Sequence, residues 1–160
     1  MHLRILIILC SLLLVPLGAG ADSGGGNGDS RSDNPWNKKV DPQQVTVDYD
    51  AGYRQLKAGD YKEAIKSFKR VIDANPDHAM AYTNMAYSYR KMGDYKRAVS
   101  LYEKALKLQP NLPEAHEYMG EALLELGKVE DAKKHLAILE KLDPKMAEEL
   151  RDEIARRERS

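Results

Sequence analysis

Cysteine is almost absent from the sequence, and its scarcity excludes several kinds of chemistry. The 160 residues include one cysteine, Cys10, which lies in an apolar run near the N-terminus. If that run is removed as an export signal, no cysteine remains in the mature chain. Disulfides, thiol redox chemistry and cysteine-ligated metal sites are then excluded, even in an oxidising compartment.

An excess of charge of one sign is also missing. Lysine and arginine together number 25, aspartate and glutamate also number 25, and the formal net charge is zero. A neutral chain has no overall field to attract nucleic acid or an anionic membrane surface. We therefore predict no nucleic-acid partner.

Recognisable catalytic and metal-binding signatures are absent as well. The four histidines, which are His2, His78, His116 and His135, are scattered and form no metal-ligand spacing. There is no glycine-rich phosphate loop and no Gly-x-Ser-x-Gly motif. We predict no catalytic residue, metal site or cofactor, and we expect His116, on an apolar helix position, to be a core residue.

The N-terminus has the pattern of an export signal. Arg4 precedes an apolar run over residues 5–15, and a small-x-small motif ends at Ala21. The run is about half as long as the roughly 20 residues that a transmembrane helix needs. We predict a signal peptide over residues 1–21, no membrane span after cleavage, and a periplasmic location. The alternative is an uncleaved anchor.

Residues 22–44 are rich in glycine, serine and aspartate. Such a segment has too few apolar side chains to offset the entropy lost on ordering, which predicts a flexible linker. It contains the only tryptophan, Trp36. This side chain either packs back onto the following domain, anchors a partner, or stays in solvent.

The rest of the chain repeats with a period of 34 residues. The repeat shows in five series of equivalent residues: Gly59, Gly93 and Gly127; Ala64, Ala98 and Ala132; Pro76, Pro110 and Pro144; Gly52, Ala86 and Gly120; Phe68, Tyr102 and Leu136. Apolar residues recur at helical spacing inside each period. Each glycine is expected to end a first helix, Asp60 and Asp94 to cap the second helix, and each proline to close the repeat.

This pattern resembles the tetratricopeptide repeat (TPR) family, with repeats at 45–78, 79–112 and 113–146. Repeat 2 fits the motif best. Repeat 3 has His116 where the motif favours tryptophan and Leu123 where it favours tyrosine, and repeat 1 has Asp48 and Gln55 at usually bulky positions. The resemblance implies an all-α solenoid, and residues 147–160 read as a capping helix.

The resemblance also implies that the first helix of each repeat lines a concave groove. The positions that would face it are Thr46, Tyr49, Tyr53, Leu56 and Lys57 in repeat 1, Met80, Thr83, Asn84, Tyr87, Arg90 and Lys91 in repeat 2, and Glu114, Glu117, Tyr118, Glu121, Leu124 and Glu125 in repeat 3. We expect exposed tyrosines that the helix core does not need, a basic middle and an acidic end. Such a groove would orient an extended segment or helix of mixed charge. The alternative is that these are solvated helix faces and that binding happens elsewhere.

The co-chaperone members of the family hold a C-terminal carboxylate with lysines, asparagines and an arginine. Of those positions only Asn84 matches, while Tyr49, Tyr53, Glu114 and Tyr118 occupy the others. We therefore predict an exported adaptor or assembly factor that binds another protein without such a clamp. Two alternatives are a structural homo-oligomer built by stacking of repeats between molecules, and an enzyme or enzyme subunit.

Overall fold

The computed structural model describes residues 41–159, and this part of the chain folds into seven α-helices. Their bounds are α1 Pro42–Ala58, α2 Tyr61–Ala74, α3 Ala79–Lys91, α4 Tyr95–Leu108, α5 Pro113–Glu125, α6 Val129–Leu142 and α7 Pro144–Glu158. The all-α prediction is confirmed. The predicted signal peptide, most of the predicted linker and Trp36 lie outside the described residues.

Helix α1 begins three residues inside the segment predicted to be linker. The Asp41 carboxylate accepts a hydrogen bond of 2.9 Å from the backbone N–H of Gln43, and Pro42 takes the first turn. A proline there costs nothing, since the first N–H groups of a helix have no partner within the helix. The pair of residues therefore starts the helix earlier than composition indicated.

Helix α7 also begins earlier than predicted, at Pro144 instead of residue 147. The Asp143 carboxylate accepts from two backbone N–H groups, at 3.0 and 3.1 Å. Pro144 does follow the end of α6 at Leu142, as expected of a residue that closes the third repeat, and it also begins α7. A proline preceded by a capping aspartate starts a helix as readily as it ends one.

The turns inside the three repeats follow the prediction for glycine. Gly59, Gly93 and Gly127 have φ values of 82°, 80° and 73°, a left-handed conformation that favours glycine. Each lies directly after the first helix of its repeat or one residue beyond its C-cap. The first helices therefore end where the sequence pattern placed their ends.

The two predicted aspartate caps behave differently. Asp94 accepts a hydrogen bond of 3.1 Å from the backbone N–H of Arg97, whereas Asp60 makes no side-chain cap bond. The Arg97 guanidinium also pairs with the Asp94 carboxylate. The equivalent residue in repeat 1 is Glu63, which pairs with Lys66 and offers Asp60 no cation. Asp60 therefore holds the predicted N-cap position, but its side chain does not cap the helix.

Neighbouring helices pack as α1 with α2, α3 with α4, and α5 with α6, and α7 packs on α5 and α6. The core has two apolar clusters. The smaller centres on Phe68 and Val71 of repeat 1, and the larger extends from Ala86 to Ile154. Gly52 and Gly120 allow close approach, because a Cβ there would lie 2.8 Å from Phe68 or 2.6 Å from Leu150. Among residues 41–159, no helix combines the length and apolar character needed to cross a bilayer.

Candidate functional site

Helices α1, α3, α5 and α7 lie side by side along one surface of the described chain. Each of them contacts the next, α1 with α3, α3 with α5 and α5 with α7. Between α3, α5 and α7 the surface dips into a cavity of about 210 Å³, lined by Arg90, Glu121, Glu125 and Glu153. We call the surface formed by these four helices the groove.

Tyrosines and cations stack on one another along the groove. The rings of Tyr87 and Tyr118 meet edge to face with centroids 5.1 Å apart, and the Arg90 guanidinium lies 5.0 and 5.3 Å from the two ring centres. On α1, Tyr53 is 45% exposed and the Lys57 ammonium lies 5.5 Å from the centre of its ring. Aromatic rings with polar tips offer broad, stiff contact area, which is typical of interaction surfaces.

Tyr49 does not belong with these exposed tyrosines. Its ring packs against Phe68 at 5.7 Å and stacks on His78 at 5.0 Å. Its hydroxyl accepts a hydrogen bond of 3.0 Å from the Asn84 amide. Burial raises the pKa of Tyr49. The expectation that the core does not need Tyr49 is therefore wrong. The hydrogen bond from Asn84 to its hydroxyl also occupies the Asn84 amide.

The predicted basic middle of the groove is only partly present. Lys57 and Lys91 are exposed, and the Lys91 ammonium lies 6.0 Å from the Tyr87 ring. Arg90 instead pairs with the Glu121 carboxylate and is largely covered. Its Nε is buried without a hydrogen-bond partner, as is the hydroxyl of Tyr102. Arg90 thus acts as a bridge between repeats and not as an open positive charge.

Carboxylates gather at the α5–α7 end of the groove. We call Glu117, Glu121, Glu125, Glu149 and Glu153 the carboxylate pocket. Glu125 pairs with Arg157, and Glu153 pairs with Arg156 and Arg157. Neither Glu117 nor Glu149 has an ion-pair partner among residues 41–159.

Glu117 is the deepest member of the carboxylate pocket and is only 5% exposed. Burial, the charges of Glu121 and Glu149 and a hydrogen bond to Glu149 together raise its pKa to about 7, against the smaller opposing effect of the Arg90 charge. The pKa of Glu121 is raised by burial, against the opposing effect of Arg90. At neutral pH Glu117 is therefore partly protonated and can donate to Glu149.

Two other predicted groove positions, Thr83 and Leu124, are buried at 1% and 2% exposure. The Thr83 hydroxyl donates to the Ala79 carbonyl at 3.1 Å, within its own helix. Sequence reasoning also missed Glu149 and Glu153, because the last helix was expected only to cap the solenoid. Their spacing of four residues, which places both on one helix face, was the available signal.

Two of the histidines that are far apart in sequence meet in repeat 3. The Nδ1 atoms of His116 and His135 lie 2.9 Å apart, and His116 Nε2 lies 2.8 Å from the Pro110 carbonyl oxygen. Because that carbonyl only accepts, His116 carries its proton on Nε2, and His135 donates to His116 Nδ1. Burial, followed by the His116 charge, lowers the pKa of His135 to about 4. His116 is 4% exposed, which confirms it as a core residue.

Metal ligation is not indicated in the described chain. No group of three or more histidine, cysteine, aspartate or glutamate side chains in residues 41–159 is arranged to hold a metal ion. The two histidines bond to each other and to the backbone, and three of the five members of the carboxylate pocket are paired with arginines. What the groove offers chemically is aromatic contact area and negative charge.

Comparison with models of known protein families shows which family the chain belongs to. Residues 55–138 match the family model of the anaphase-promoting complex, cyclosome, subunit 3, a TPR-type family. The chain belongs to the tetratricopeptide repeat family. A comparison with curated protein sequences gave no match.

Solved TPR domains superpose well on this one. The first TPR domain of Spaghetti (RPAP3), bound to the HSP90 peptide SRMEEVD, is 30% identical with a TM-score of 0.69, and the match covers 77% of this chain and 99% of that one. The second TPR domain of human RPAP3, in complex with the HSP70 peptide SGPTIEEVD, is 29% identical with a TM-score of 0.67, covering 71% and 96%. The Yersinia enterocolitica type III secretion chaperone SycD, at 19% identity and a TM-score of 0.66, covering 74% and 92%, shares the fold.

Proposed function

We propose that this TPR protein is an exported interaction module, an adaptor or assembly factor that holds a polypeptide segment in its groove. The observation that carries the proposal is the cluster of Tyr87, Tyr118 and Arg90, which joins the second and third repeats, together with the exposed Tyr53 on the first helix of the first repeat. Large rigid side chains on adjoining helices can contact successive residues of one ligand.

The relatives support a polypeptide as the ligand. Two TPR domains about 30% identical to this chain were solved with short peptides from HSP90 and HSP70. We extend to this chain the class of ligand, a polypeptide segment, and not those particular peptides. Catalysis forms no part of the proposal.

Export is proposed from the signal-like sequence of residues 1–21. A bacterial envelope protein carrying it would act in the periplasm after cleavage. The N-terminal mass of the protein purified from its own cells tests this. A mature chain that begins at Asp22 would support export, whereas a retained Met1 would contradict cleavage.

Selection from a random dodecapeptide library displayed on phage tests the binding proposal. We expect the purified protein to enrich peptides that the double variant Tyr53→Ala, Tyr87→Ala no longer binds. The matched control, Tyr61→Ala with Tyr95→Ala, makes the same change on second helices α2 and α4 and should keep binding.

Equal loss of binding in both double variants, or no enrichment, would contradict a groove site. Light scattering on the same protein distinguishes peptide binding from the structural alternative, a homo-oligomer. A concentration-dependent mass with no peptide enrichment would favour self-assembly by stacking of repeats.

A further inference from the structure

Besides the carboxylates at its α7 end, the groove has two free positive charges on the first helices of repeats 1 and 2. We propose, on the basis of the function proposed above, that Lys57 and Lys91 bind acidic side chains of the polypeptide segment held in the groove. The groups recognised are aspartate or glutamate residues within the segment, and a free C-terminus is not required.

Two positions of the 34-residue repeat, four residues apart on each first helix, carry much of the charge along the groove. They hold Tyr53 and Lys57 in repeat 1, Tyr87 and Lys91 in repeat 2, and Glu121 and Glu125 in repeat 3. Residues four apart share a helix face, and α1 contacts α3 as α3 contacts α5. The three pairs therefore form one row across the groove, basic over two repeats and acidic over the third.

Only the basic part of this row has charge left for a ligand. Glu121 and Glu125 each pair with an arginine of the protein, so both carboxylates are already neutralised. Lys57 and Lys91 are exposed and form no ion pair among residues 41–159, although the Lys91 charge acts on Glu121 from a distance. The free charge of the row is positive, and the ligand charge that complements it is negative.

Tyrosine rings hold both lysines over the groove. The Lys57 ammonium lies 5.5 Å from the centre of the Tyr53 ring, and the Lys91 ammonium lies 6.0 Å from that of Tyr87. A ring attracts a cation without neutralising it, so the ammonium can still donate to a carboxylate. Because the ring already restricts the lysine, less side-chain freedom is lost on binding. Each pair is a preformed contact for an acidic side chain.

The separation of the two pairs predicts the spacing of the acidic residues. Helices in contact have axes about 8–10 Å apart, and an extended chain advances about 3.3 Å per residue. Since α1 and α3 are in contact, two acidic side chains about two to four residues apart in the ligand can reach Lys57 and Lys91 together.

The groove is less suited to a free C-terminal carboxylate. Asn84, the sole residue that matches the carboxylate clamp, donates its amide to the Tyr49 hydroxyl at 3.0 Å. Glu114 occupies another clamp position, and its negative charge opposes a carboxylate there. Recognition at the two lysines therefore differs from the clamp in both position and target.

The experiment removes the two lysines and the ligand acids separately and together. Peptides enriched from the dodecapeptide library are synthesised as C-terminal amides, which leaves only side-chain carboxylates. A matched uncharged peptide carries asparagine or glutamine in place of each aspartate or glutamate. Isothermal titration calorimetry measures both peptides against the wild type and the groove variant Lys57→Gln, Lys91→Gln. The control variant, Lys62→Gln with Lys96→Gln, makes the same change at exposed positions of α2 and α4.

We expect the enriched peptides to contain more aspartate and glutamate than the library. Their affinity should fall on the order of tenfold in the groove variant, since each exposed ion pair contributes up to about fivefold, and should stay unchanged in the control. The uncharged peptides should bind the wild type and the groove variant equally, which would assign the loss to contacts between the acids and the two lysines.

Enriched peptides without an excess of acidic residues, or acidic peptides that bind the groove and control variants equally, would overturn this inference and leave the proposed function standing. An equal loss of affinity for the uncharged peptides would also overturn it, because the lysines would then act through the shape of the groove. Failure to enrich any peptide would overturn both, and so the two failures are distinguishable.

Discussion

The two ends of the solenoid differ in how they are stabilised and in what they display. Repeat 1 has a small core around Phe68 and Val71, whereas repeat 3 shares a cluster that continues through α7 to Ile154. At the repeat 1 end the groove shows Tyr53 and Lys57, and at the α7 end it shows five carboxylates.

This difference follows from the one-dimensional contacts of a repeat protein. Each helix pair touches only its neighbours, so an end with no further helix must make its own core. Helix α7 gives repeat 3 that extra layer through the contact of Leu150 with Gly120. Within the described chain, α1 has no such cover on its outer side, and Val47 there is 57% exposed.

The largest expected effect comes from truncating the core of repeat 1. Phe68→Ala removes a fully buried ring and should cost about 3–5 kcal/mol. Phe68 and Leu139 belong to different clusters, which meet at the partly buried Met85. Hydrogen exchange should therefore show α1 and α2 losing more protection than α5 to α7. Leu139→Ala, also fully buried, should show the reverse pattern. Uniform loss of protection in both variants would contradict the claim that the two ends of the solenoid are stabilised by different cores.

The histidine pair of repeat 3 should make the free energy of unfolding depend on pH. His135 has a pKa lowered to about 4, so its folded form stays neutral while the unfolded form protonates below about 6.5. The stability contributed by the neutral ring is present above pH 6.5 and is lost as pH falls toward 4. The difference in unfolding free energy between the wild type and His135→Gln should shrink by about 1–3 kcal/mol over that window. A constant difference, measured by urea titration at each pH, would contradict this account.

Glu117 should have the opposite pH dependence. Its pKa is raised to about 7, so the folded protein holds a proton that the unfolded chain releases above about 4.5. Stability from the protonated form is present below pH 4.5 and is lost as pH rises through 7. Glu117→Gln should match the wild type at pH 4.5 and exceed it by about 1–2 kcal/mol at pH 8. Glu148→Gln changes an exposed residue on α7, and its stability relative to the wild type should not depend on pH in this way.

The smallest expected effect separates the two aspartate caps. Asp94→Ala removes a formed cap bond and should cost about 1 kcal/mol, whereas Asp60→Ala removes none and should cost much less. Thermal unfolding of the two variants measures this. Equal losses would show that the Asp60 carboxylate caps α2 in solution.

Sequence reasoning reached the fold because its signals are periodic and local. Glycines at left-handed turns and small residues at close contacts each recur with the repeat, so the backbone could be predicted from spacing. The helix starts at Pro42 and Pro144 were missed, because composition assigned residues 22–44 to a linker and Pro144 was expected to close repeat 3. In both places a preceding aspartate makes the proline a helix start.

The groove was predicted less well because side-chain contacts between repeats are not periodic. Tyr49 was expected in solvent but contacts Phe68, His78 and Asn84, the last two in the second repeat or just before it. Arg90 was expected to contribute to a basic middle of the groove, yet it pairs with Glu121 from the next repeat. Glu149 and Glu153 belong to a helix whose packing against α5 no spacing within the repeats revealed.

Position-resolved photo-cross-linking in the cells that make the protein tests the groove most directly. The cross-linking amino acid p-benzoylphenylalanine is placed at Tyr53 or Tyr87 in the groove, and at Tyr61 or Tyr95 on the second helices. We predict that the two groove positions yield an adduct with the same second polypeptide and that the two control positions yield none. Adducts of equal yield at Tyr61 and Tyr95, or adducts only between copies of this chain, would contradict a polypeptide-binding groove.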